Sequence, residues 1–214
     1  MTSVINSDYS KFESKNSHLA DSIVFSPSFD QSSLNALASH NTTFTYKIYK
    51  YNNNIIFYFD KIDQKIFKIK QDNIPMKWTI LPEKRIISGY SCQKATTEYG
   101  GRKWQAWFSK EIPTPDGPYK FSGLPGLIIE VAAIKRSYNF QLIKLKEAGY
   151  NGRPDLPVNA IETSLSQYIK AKSDYFYNGV GQMTKRNSPN NYNKEMEEYK
   201  QKQAKKNDLI ELKY

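Results

Sequence analysis

Residues 89–108 read GYSCQKATTEYGGRKWQAWF, and this stretch decides the fold. Gly100 and Gly101 separate two runs that alternate between apolar and polar residues. Such a glycine pair suits a two-residue hairpin turn, because both residues can take a positive φ without a Cβ clash. We therefore predict an antiparallel hairpin that reverses at these glycines.

The turn also fixes the pairing of the two strands. Opposite-charge and cation–aromatic pairs across a hairpin each stabilise it by roughly 0.2–1 kcal/mol. The predicted pairs are Tyr99 with Arg102, Glu98 with Lys103, Thr97 with Trp104, Ala95 with Ala106 and Lys94 with Trp107. Trp104 and Trp107 stand three residues apart, so their side chains point to opposite faces of the sheet.

Further β-type runs lie on both sides of this hairpin, at spacings of 8–12 residues that are typical of antiparallel sheets. The sequence predicts an α+β protein that is mainly β, with a curved antiparallel sheet or partial barrel and a few peripheral helices. The predicted strands are residues 42–51, 54–59, 65–70, 76–81, 85–99, 102–112, 119–121, 127–134, 138–144 and 209–212.

Helices are expected outside the sheet. Two short ones, at 17–23 and 32–39, lie in a Ser- and Asn-rich segment that we expect to be peripheral. An apolar stripe at helical spacing predicts a helix at 164–177 that packs on the sheet. A flexible connector at 179–191 and a polar helix at 193–206 follow. We predict a β-rich domain at 1–148 and a C-terminal extension at 149–214.

Composition excludes several classes of protein. No apolar run is long enough to span a bilayer, and the mean hydropathy is −0.69. One cysteine and two histidines cannot build a disulfide scaffold or a Cys-rich zinc site, so we predict no metal and no cofactor. The net charge of +10 is spread along the chain and is consistent with solvated lysines on a sheet.

Residues 113–126 form a stiff segment with four prolines and three glycines. Leu124, Pro125 and Gly126 suit a type II turn that leads into a core strand. The segment is either a structural guide for that strand or one wall of a groove beside the tryptophan strand, since Trp, Tyr and Arg are common in binding sites. The candidate binding residues are Arg102, Trp104, Trp107, Pro118, Tyr119, Phe121, Gly123, Leu124, Pro125 and Gly126.

The hexapeptide at 123–128, GLPGLI, resembles the motif that names the GLPGLI family of Bacteroidota, also called Porph_ging. The resemblance covers roughly residues 4–146, and a closing segment at 207–212 is similar to the end of family members. It includes Gly89-Tyr90 with Cys92 and Ala95, Gly101-Arg102 with Trp104 and Ala106-Trp107, Glu111-Ile112-Pro113, and Gly117-Pro118-Tyr119.

The resemblance implies a β-rich, secreted or periplasmic protein of a family whose function is not established. It assigns no catalytic residue. Family members open with a secretion signal and an additional strand, and this sequence, which shows no signal peptide of its own, is expected to begin after both.

Catalytic chemistry has few candidates. Cys92 is the only thiol, and nothing around it predicts a lowered pKa. His18 and His40 lie in the N-terminal segment, where a surface position is expected. The carboxylates of Glu98, Glu111, Asp116 and Glu130 share no motif that holds two of them together, and no phosphate-binding glycine loop is present.

We therefore expect a non-catalytic, envelope-associated binding or accessory protein. Its ligand would be peptide-like or apolar, or its partner an outer-membrane transporter. A hydrolase that uses Cys92 or a carboxylate near Asp116 is one alternative. A binder of nucleic acid or of an anionic surface is the other, although nucleic acid is less favoured because no recognition motif accompanies the tyrosines and lysines.

Overall fold

The computed structural model describes residues 1–6, 8–24, 26, 28, 30–39, 44–51, 54–72, 75–134, 138–146, 154 and 156–205. Eleven strands and four α-helices are found in this part of the chain. The strands are β1 (Thr2–Ile5), β2 (Tyr9–Glu13), β3 (Lys47–Tyr51), β4 (Ile55–Ile62), β5 (Lys65–Asp72), β6 (Thr79–Ile87), β7 (Tyr90–Tyr99), β8 (Arg102–Ser109), β9 (Leu127–Ala133), β10 (Asn139–Gln141) and β11 (Ile161–Glu162). The helices are α1 (Lys15–Val24), α2 (Gln31–Ser39), α3 (Leu165–Asn187) and α4 (Tyr192–Lys205), with a 3₁₀ turn at Pro189–Asn191.

The strands form two sheets. The first sheet has the order β1-β2-β3-β4-β5-β11, and the second has the order β10-β9-β8-β7-β6. All pairs are antiparallel except β11 with β5. The prediction of a mainly β, antiparallel α+β fold is confirmed, and the described strands do not close a barrel.

The central hairpin has the predicted register. Strand β7 pairs with β8 so that Tyr99 faces Arg102, Glu98 faces Lys103 and Lys94 faces Trp107, and the other predicted pairs are also present. Gly100 and Gly101 both have positive φ, at 57° and 74°. The turn chemistry therefore determined the register, as two-residue hairpin loops do.

The main core lies between the two sheets. Phe12, Ile48 and Ile56 from the first sheet share one buried cluster with Trp104 and other residues of the second sheet. Because period-two alternation turns every second side chain inward, each strand contributes to this cluster through one face only. The remaining members are Tyr46, Ala95, Ala106, Phe108, Tyr119, Phe121, Leu124, Ile128, Val131 and Ala133.

The N-terminal segment is not peripheral, and that prediction was wrong. Besides the two expected helices it contains β1 and β2, and β2 pairs along its whole length with β3. Tyr9 and Phe12 are buried on opposite faces of this strand. Ser and Asn dilute the strand pattern in the sequence, but burial of two aromatic side chains outweighs weak local propensity.

Three other element predictions need correction. Residues 85–99 are two strands, because Ser88 and Gly89 form a turn with φ values of 53° and 85°. Residues 119–121 are not a strand, and only an isolated bridge joins Asp116 to Ser122. The expected connector at 179–191 is helical as far as Asn187. The strand expected at 209–212 lies outside the described residues.

Helix α3 begins at a capping box. The Ser164 hydroxyl accepts a hydrogen bond from the Gln167 backbone amide, and the Gln167 side chain accepts one from the Ser164 amide. The first turns of α3 then place Leu165, Tyr168 and Ile169 against Ile62 and Ile69 of the first sheet. The division into a domain at 1–148 and an extension at 149–214 stays a prediction.

Candidate functional site

The proline loop (residues 113–126) fills one part of the space between the sheets. Its path is set by three tight turns, in which the backbone amides of Thr114, Asp116 and Gly126 each donate to the carbonyl two residues earlier. These γ-turns are centred on Pro113, Pro115 and Pro125. Proline suits this position because its ring fixes φ near the value that the turn requires.

The type II turn expected at Leu124–Gly126 is not formed, since Gly126 has a φ of 155° rather than about 80°. Glycine is required there for another reason. A Cβ on Gly126 would lie 2.1 Å from the carbonyl oxygen of Ser109, and one on Gly117 would lie 2.8 Å from Cβ of Ile128. The loop is thus packed tightly against β8 and β9.

A buried lysine anchors the loop to the first sheet. Lys50 on β3 is nearly inaccessible and forms an ion pair with Asp116. Its ammonium group also donates to the carbonyl oxygens of Gly117 and Phe121, at 2.7 and 3.2 Å. Burial lowers the pKa of Lys50, and the Asp116 carboxylate opposes that effect. Three acceptors therefore satisfy the donors of a cation that would otherwise be costly to bury.

A second buried lysine makes the reverse connection, from the loop to the first sheet. Lys120 belongs to the loop, and its ammonium donates to Oε1 of Gln71 on β5 at 2.6 Å. The same group lies 5.4 Å from the ring centroids of Tyr58 and Tyr119. Tyr119 itself has a φ of 55°, a conformation that non-glycine residues rarely adopt. The loop and the first sheet are joined by polar contacts from both partners.

Most predicted binding residues lie in the core. Trp104 and Phe121 are fully buried, with ring centroids 4.7 Å apart in an edge-to-face arrangement. Tyr119, Leu124 and Gly126 are also buried, whereas Gly123 and Pro125 are exposed and Pro118 is half-buried. The loop and the tryptophan strand meet as the sequence predicted, but they pack directly on each other, so the groove expected between them is filled with side chains.

Trp107 lies on the other face of the second sheet and is not beside the loop. It packs with Ile87, Cys92 and neighbouring aliphatic residues in a smaller cluster. The Arg85 guanidinium covers its ring at 4.2 Å and forms a 2.8 Å ion pair with Glu130. The three-residue spacing of the tryptophans therefore removes Trp107 from the predicted groove.

The predicted residue that does reach the surface beside the loop is Arg102. Its guanidinium lies 5.3 Å from the ring centroid of Tyr138, and that ring is 6.3 Å from the ring of Trp104. Tyr99 stands opposite Arg102 in the hairpin and contacts Phe121. We call the half-buried residues Tyr99, Arg102 and Tyr138, above buried Trp104, the Arg102 patch.

Tyr46 adds a polar atom near the Arg102 patch. Its ring stacks with Tyr58 at 5.6 Å and meets Tyr119 at 5.9 Å, and its hydroxyl is buried with no hydrogen-bond partner. Burial raises the pKa of Tyr46, and the phenol of Tyr138 and the carboxylate of Asp60 add to the effect. A buried hydroxyl without a partner costs free energy.

Among the residues considered for catalysis, Cys92 is buried and three of the carboxylates are paired with a cation. Burial raises the pKa of Cys92, which disfavours the thiolate that a nucleophile needs. A cavity of about 190 Å³ lies beside this thiol, and its lining among the described residues includes no histidine. The lining residues are Lys84, Ser91, Cys92, Gln93, Phe108, Lys110 and Glu111. Asp116 is paired with Lys50, Glu98 with Lys103 and Glu130 with Arg85.

Sequence reasoning also missed a buried carboxylate, Asp60 on β4. Its carboxylate accepts hydrogen bonds from the Tyr168 hydroxyl and the Lys172 ammonium, both at 2.6 Å and both from α3. Burial raises the pKa of Asp60, but Lys172 and the hydroxyls of Thr45 and Tyr168 outweigh burial and lower it. The only sequence signal was an acidic residue at an inward-facing strand position.

The described residues contain neither a cluster that could hold a metal ion nor a helix that could span a membrane. No group of three His, Cys, Asp or Glu side chains in that part of the chain is arranged to hold a metal ion. None of the described helices combines the length and the apolar character needed to cross a membrane.

Comparison with known proteins gives one family match and a fold likeness. A family model described as a protein of unknown function, Porph_ging, matches residues 100–130, which include β8 and the whole proline loop. No curated protein matches the sequence.

Among solved structures, the chain is similar to PNGF-II in a P21 and in a C2 space group, with TM-scores of 0.53 and 0.51. Each is 16% identical over 81% of this chain, and the match covers 29% of the PNGF-II chain. This protein therefore spans less than a third of the length of PNGF-II, and at that identity the likeness concerns the fold alone.

Proposed function

We propose that this protein is a secreted or periplasmic binding or accessory protein of the envelope, without catalytic activity, and that it engages its ligand or partner at the Arg102 patch. The GLPGLI hexapeptide lies inside the residues matched by the Porph_ging model, which supports membership of the GLPGLI family of Bacteroidota. The cellular location follows from that family assignment.

The observation that carries the proposal is the stacked Arg102–Tyr138 pair above the buried Trp104. Arginine, tyrosine and tryptophan contribute most to binding when they are held rigidly. Here the rigidity comes from the hairpin register below and from the proline loop beside it. A rigid patch loses little conformational entropy when it binds.

The chemistry of the patch favours a peptide-like ligand or partner with an apolar or aromatic group and a polar end. The apolar group would stack on Tyr138 and Tyr99, while Arg102 offers polar contacts. An exposed segment of an outer-membrane transporter would meet the same requirement.

A capture experiment with matched variants tests the proposal. Immobilised wild-type protein, Arg102→Ala and Lys103→Ala would be incubated with envelope extract, and the captured species quantified by mass spectrometry. Lys103 is adjacent in sequence but exposed on the opposite face of the sheet, where it pairs with Glu98 at 3.5 Å. We expect Arg102→Ala to lose specific capture and Lys103→Ala to retain it.

A photo-crosslinking amino acid at position 102 would then join the captured species to the patch, whereas the same group at exposed Lys170 on α3 would not. Equal capture by all three folded proteins, or crosslinking only from position 170, would contradict the proposal. Capture that disappears steeply with added salt for every variant would favour the alternative of a general anionic-surface binder.

A further inference from the structure

Helix α3 is attached to the first sheet through its N-terminal half. Leu165, Tyr168 and Ile169 pack on the sheet, and Lys172 reaches Asp60. These positions recur every three or four residues and so lie on one face of the helix. Beyond Lys172 none of the helix side chains joins the buried clusters of the sheets.

The same apolar face continues into the C-terminal half of α3, where it is exposed. Phe176 follows Lys172 by four residues, and Val180 and Met183 continue the spacing. Phe176 is 53% exposed, Met183 is 69% exposed and the adjacent Tyr175 is 47% exposed. We call Tyr175, Phe176, Val180 and Met183 the exposed stripe.

Helix α4 does not cover this stripe because it packs on another side of α3. The contact is made at Gly181, where an added Cβ would lie 3.3 Å from the Tyr192 hydroxyl and 3.5 Å from Cε of Met196. A Cβ at Gly179, between the members of the stripe, would meet no atom within 4 Å. The Gly181 side of α3 is thus covered by α4, whereas no described residue covers the Gly179 side, which carries the stripe.

The surroundings of the stripe are basic. Helices α3 and α4 together contain eight basic and four acidic residues, in a chain whose net charge is +10. Lys185 and Arg186 lie in the last turn of α3, and both are exposed. Arg186 follows Met183 by three residues and so lies on the side of the stripe, whereas Lys185 lines a cavity with Gly181 and Tyr192 on the side of α4. An apolar helical face with aromatic residues, bordered by cations, is the pattern of helices that lie on anionic membranes.

We propose that the exposed stripe of α3 docks on an anionic lipid surface, with Phe176 and Met183 entering the headgroup region and Arg186 contacting lipid phosphates. This contact is independent of the Arg102 patch and would hold the protein at a membrane that it does not span. Attraction between cations and anionic lipids accounts for the charge of the helices, and shallow insertion accounts for the exposed apolar face.

A second copy of the chain fits the stripe less well. The stripe extends over about 12 Å of helix, so its area is far below the roughly 800 Å² per partner of a stable protein interface. Packing the same basic surface against itself would also oppose like charges. A bilayer needs no complementary shape and supplies the opposite charge.

Vesicle co-sedimentation tests the inference with the full chain. The vesicles would contain phosphatidylcholine alone, or phosphatidylcholine and phosphatidylglycerol in equal parts, at low salt. We expect the wild type to bind only the mixed vesicles. The double variant Phe176→Ser/Met183→Ser should bind about tenfold less, and Arg186→Gln should bind about fivefold less.

The matched control is Ile143→Ser/Val158→Ser, which removes two even more exposed apolar side chains elsewhere and should bind like the wild type. A single Phe176→Trp variant gives a second readout. With mixed vesicles, and not with phosphatidylcholine alone, the fluorescence of the added tryptophan should shift to shorter wavelength and should be quenched by brominated lipids. Since these positions are exposed, all variants should keep the wild-type melting temperature.

Three results would overturn the inference. The first is a wild-type protein that binds neither vesicle. The second is undiminished binding by Phe176→Ser/Met183→Ser, which would assign any attraction to scattered lysines. The third is a concentration-dependent dimer in sedimentation velocity that the same variant abolishes, which would assign the stripe to a second copy.

Discussion

The proline loop and helix α3 sit side by side on the same face of the first sheet, and each is held by a buried charge. Between them lies Tyr58, whose ring is 5.4 Å from the Lys120 ammonium of the loop and 6.2 Å from the Tyr168 ring of the helix. For the loop the buried charge on the sheet is a cation, Lys50. For the helix it is an anion, Asp60.

The two attachments differ in how completely they are buried. Lys50 and its partner Asp116 are almost fully enclosed, and Gly126 and Gly117 of the loop lie close to the Ser109 backbone and the Ile128 side chain. The side chain of Lys172, by contrast, is 32% exposed, and the helix beyond it leaves the sheet. Close packing makes a segment part of the core, whereas attachment at one end leaves the rest of the segment available for other contacts.

The largest expected effect comes from the loop. Gly126→Ala would place a Cβ 2.1 Å from the Ser109 carbonyl oxygen at the end of β8, so the backbone of the loop or of the strand would have to shift. We expect a loss of more than about 5 kcal/mol of unfolding free energy, or failure to fold. Pro125→Ala, at the exposed neighbour, is the control and should remain folded. Urea denaturation that finds Gly126→Ala as stable as the wild type would show that the loop is not packed as described.

The second-largest expected effect comes from removing the buried cation, Lys50. Lys50→Met removes the counter-charge of Asp116 and the donor to two loop carbonyls, so we expect a loss of about 3–5 kcal/mol. The double variant Lys50→Met/Asp116→Asn should regain part of this loss, because no unpaired charge is then buried. Urea denaturation of the two variants and of Asp116→Asn completes the cycle. Strictly additive losses would mean that the two side chains do not interact.

The helix attachment predicts an acid dependence of about 1–3 kcal/mol. The pKa of Asp60 is lowered in the folded protein, so its contribution is complete above the unfolded pKa of about 4 and is lost as the pH falls through the folded value. Asp60→Asn should therefore be less stable than the wild type at neutral pH, and the difference should shrink below about pH 4. A stability difference that does not change with pH would argue against an ionised Asp60.

What the sequence could predict was local. The glycine pair at 100–101 determined the hairpin and every partner in it, and the parity of Trp104 and Trp107 placed them on opposite faces. These inferences depend only on backbone conformations that glycine permits and on the period of a strand. The same reasoning brought the proline loop next to the tryptophan strand.

What the sequence could not predict was which contacts are buried between distant segments. Lys50 and Asp116 are 66 residues apart and Asp60 and Lys172 are 112 apart, and nothing local distinguishes them from surface charges. For the same reason Tyr119 and Phe121 were candidates for a binding surface, although they fill the core. Strands β1 and β2 were missed because β2 is stabilised by pairing with β3, and β1 by pairing with β2, rather than by their own composition.

The smallest effect has the opposite sign and concerns the free half of α3. Sequence reasoning treated Gly179 as part of a connector, but it lies inside the helix with open space around its Cα. Gly179→Ala should therefore stabilise the protein by about 0.5–1 kcal/mol, since alanine loses less backbone entropy in a helix. The melting temperature should rise by about 2–4 °C. Gly181→Ala is the matched control, because its Cβ would press on the Tyr192 hydroxyl at 3.3 Å and so should bring no such gain. A fall in melting temperature for Gly179→Ala would mean that this half of α3 is not a helix open on that side, and the contrast with the tightly packed loop would then be lost.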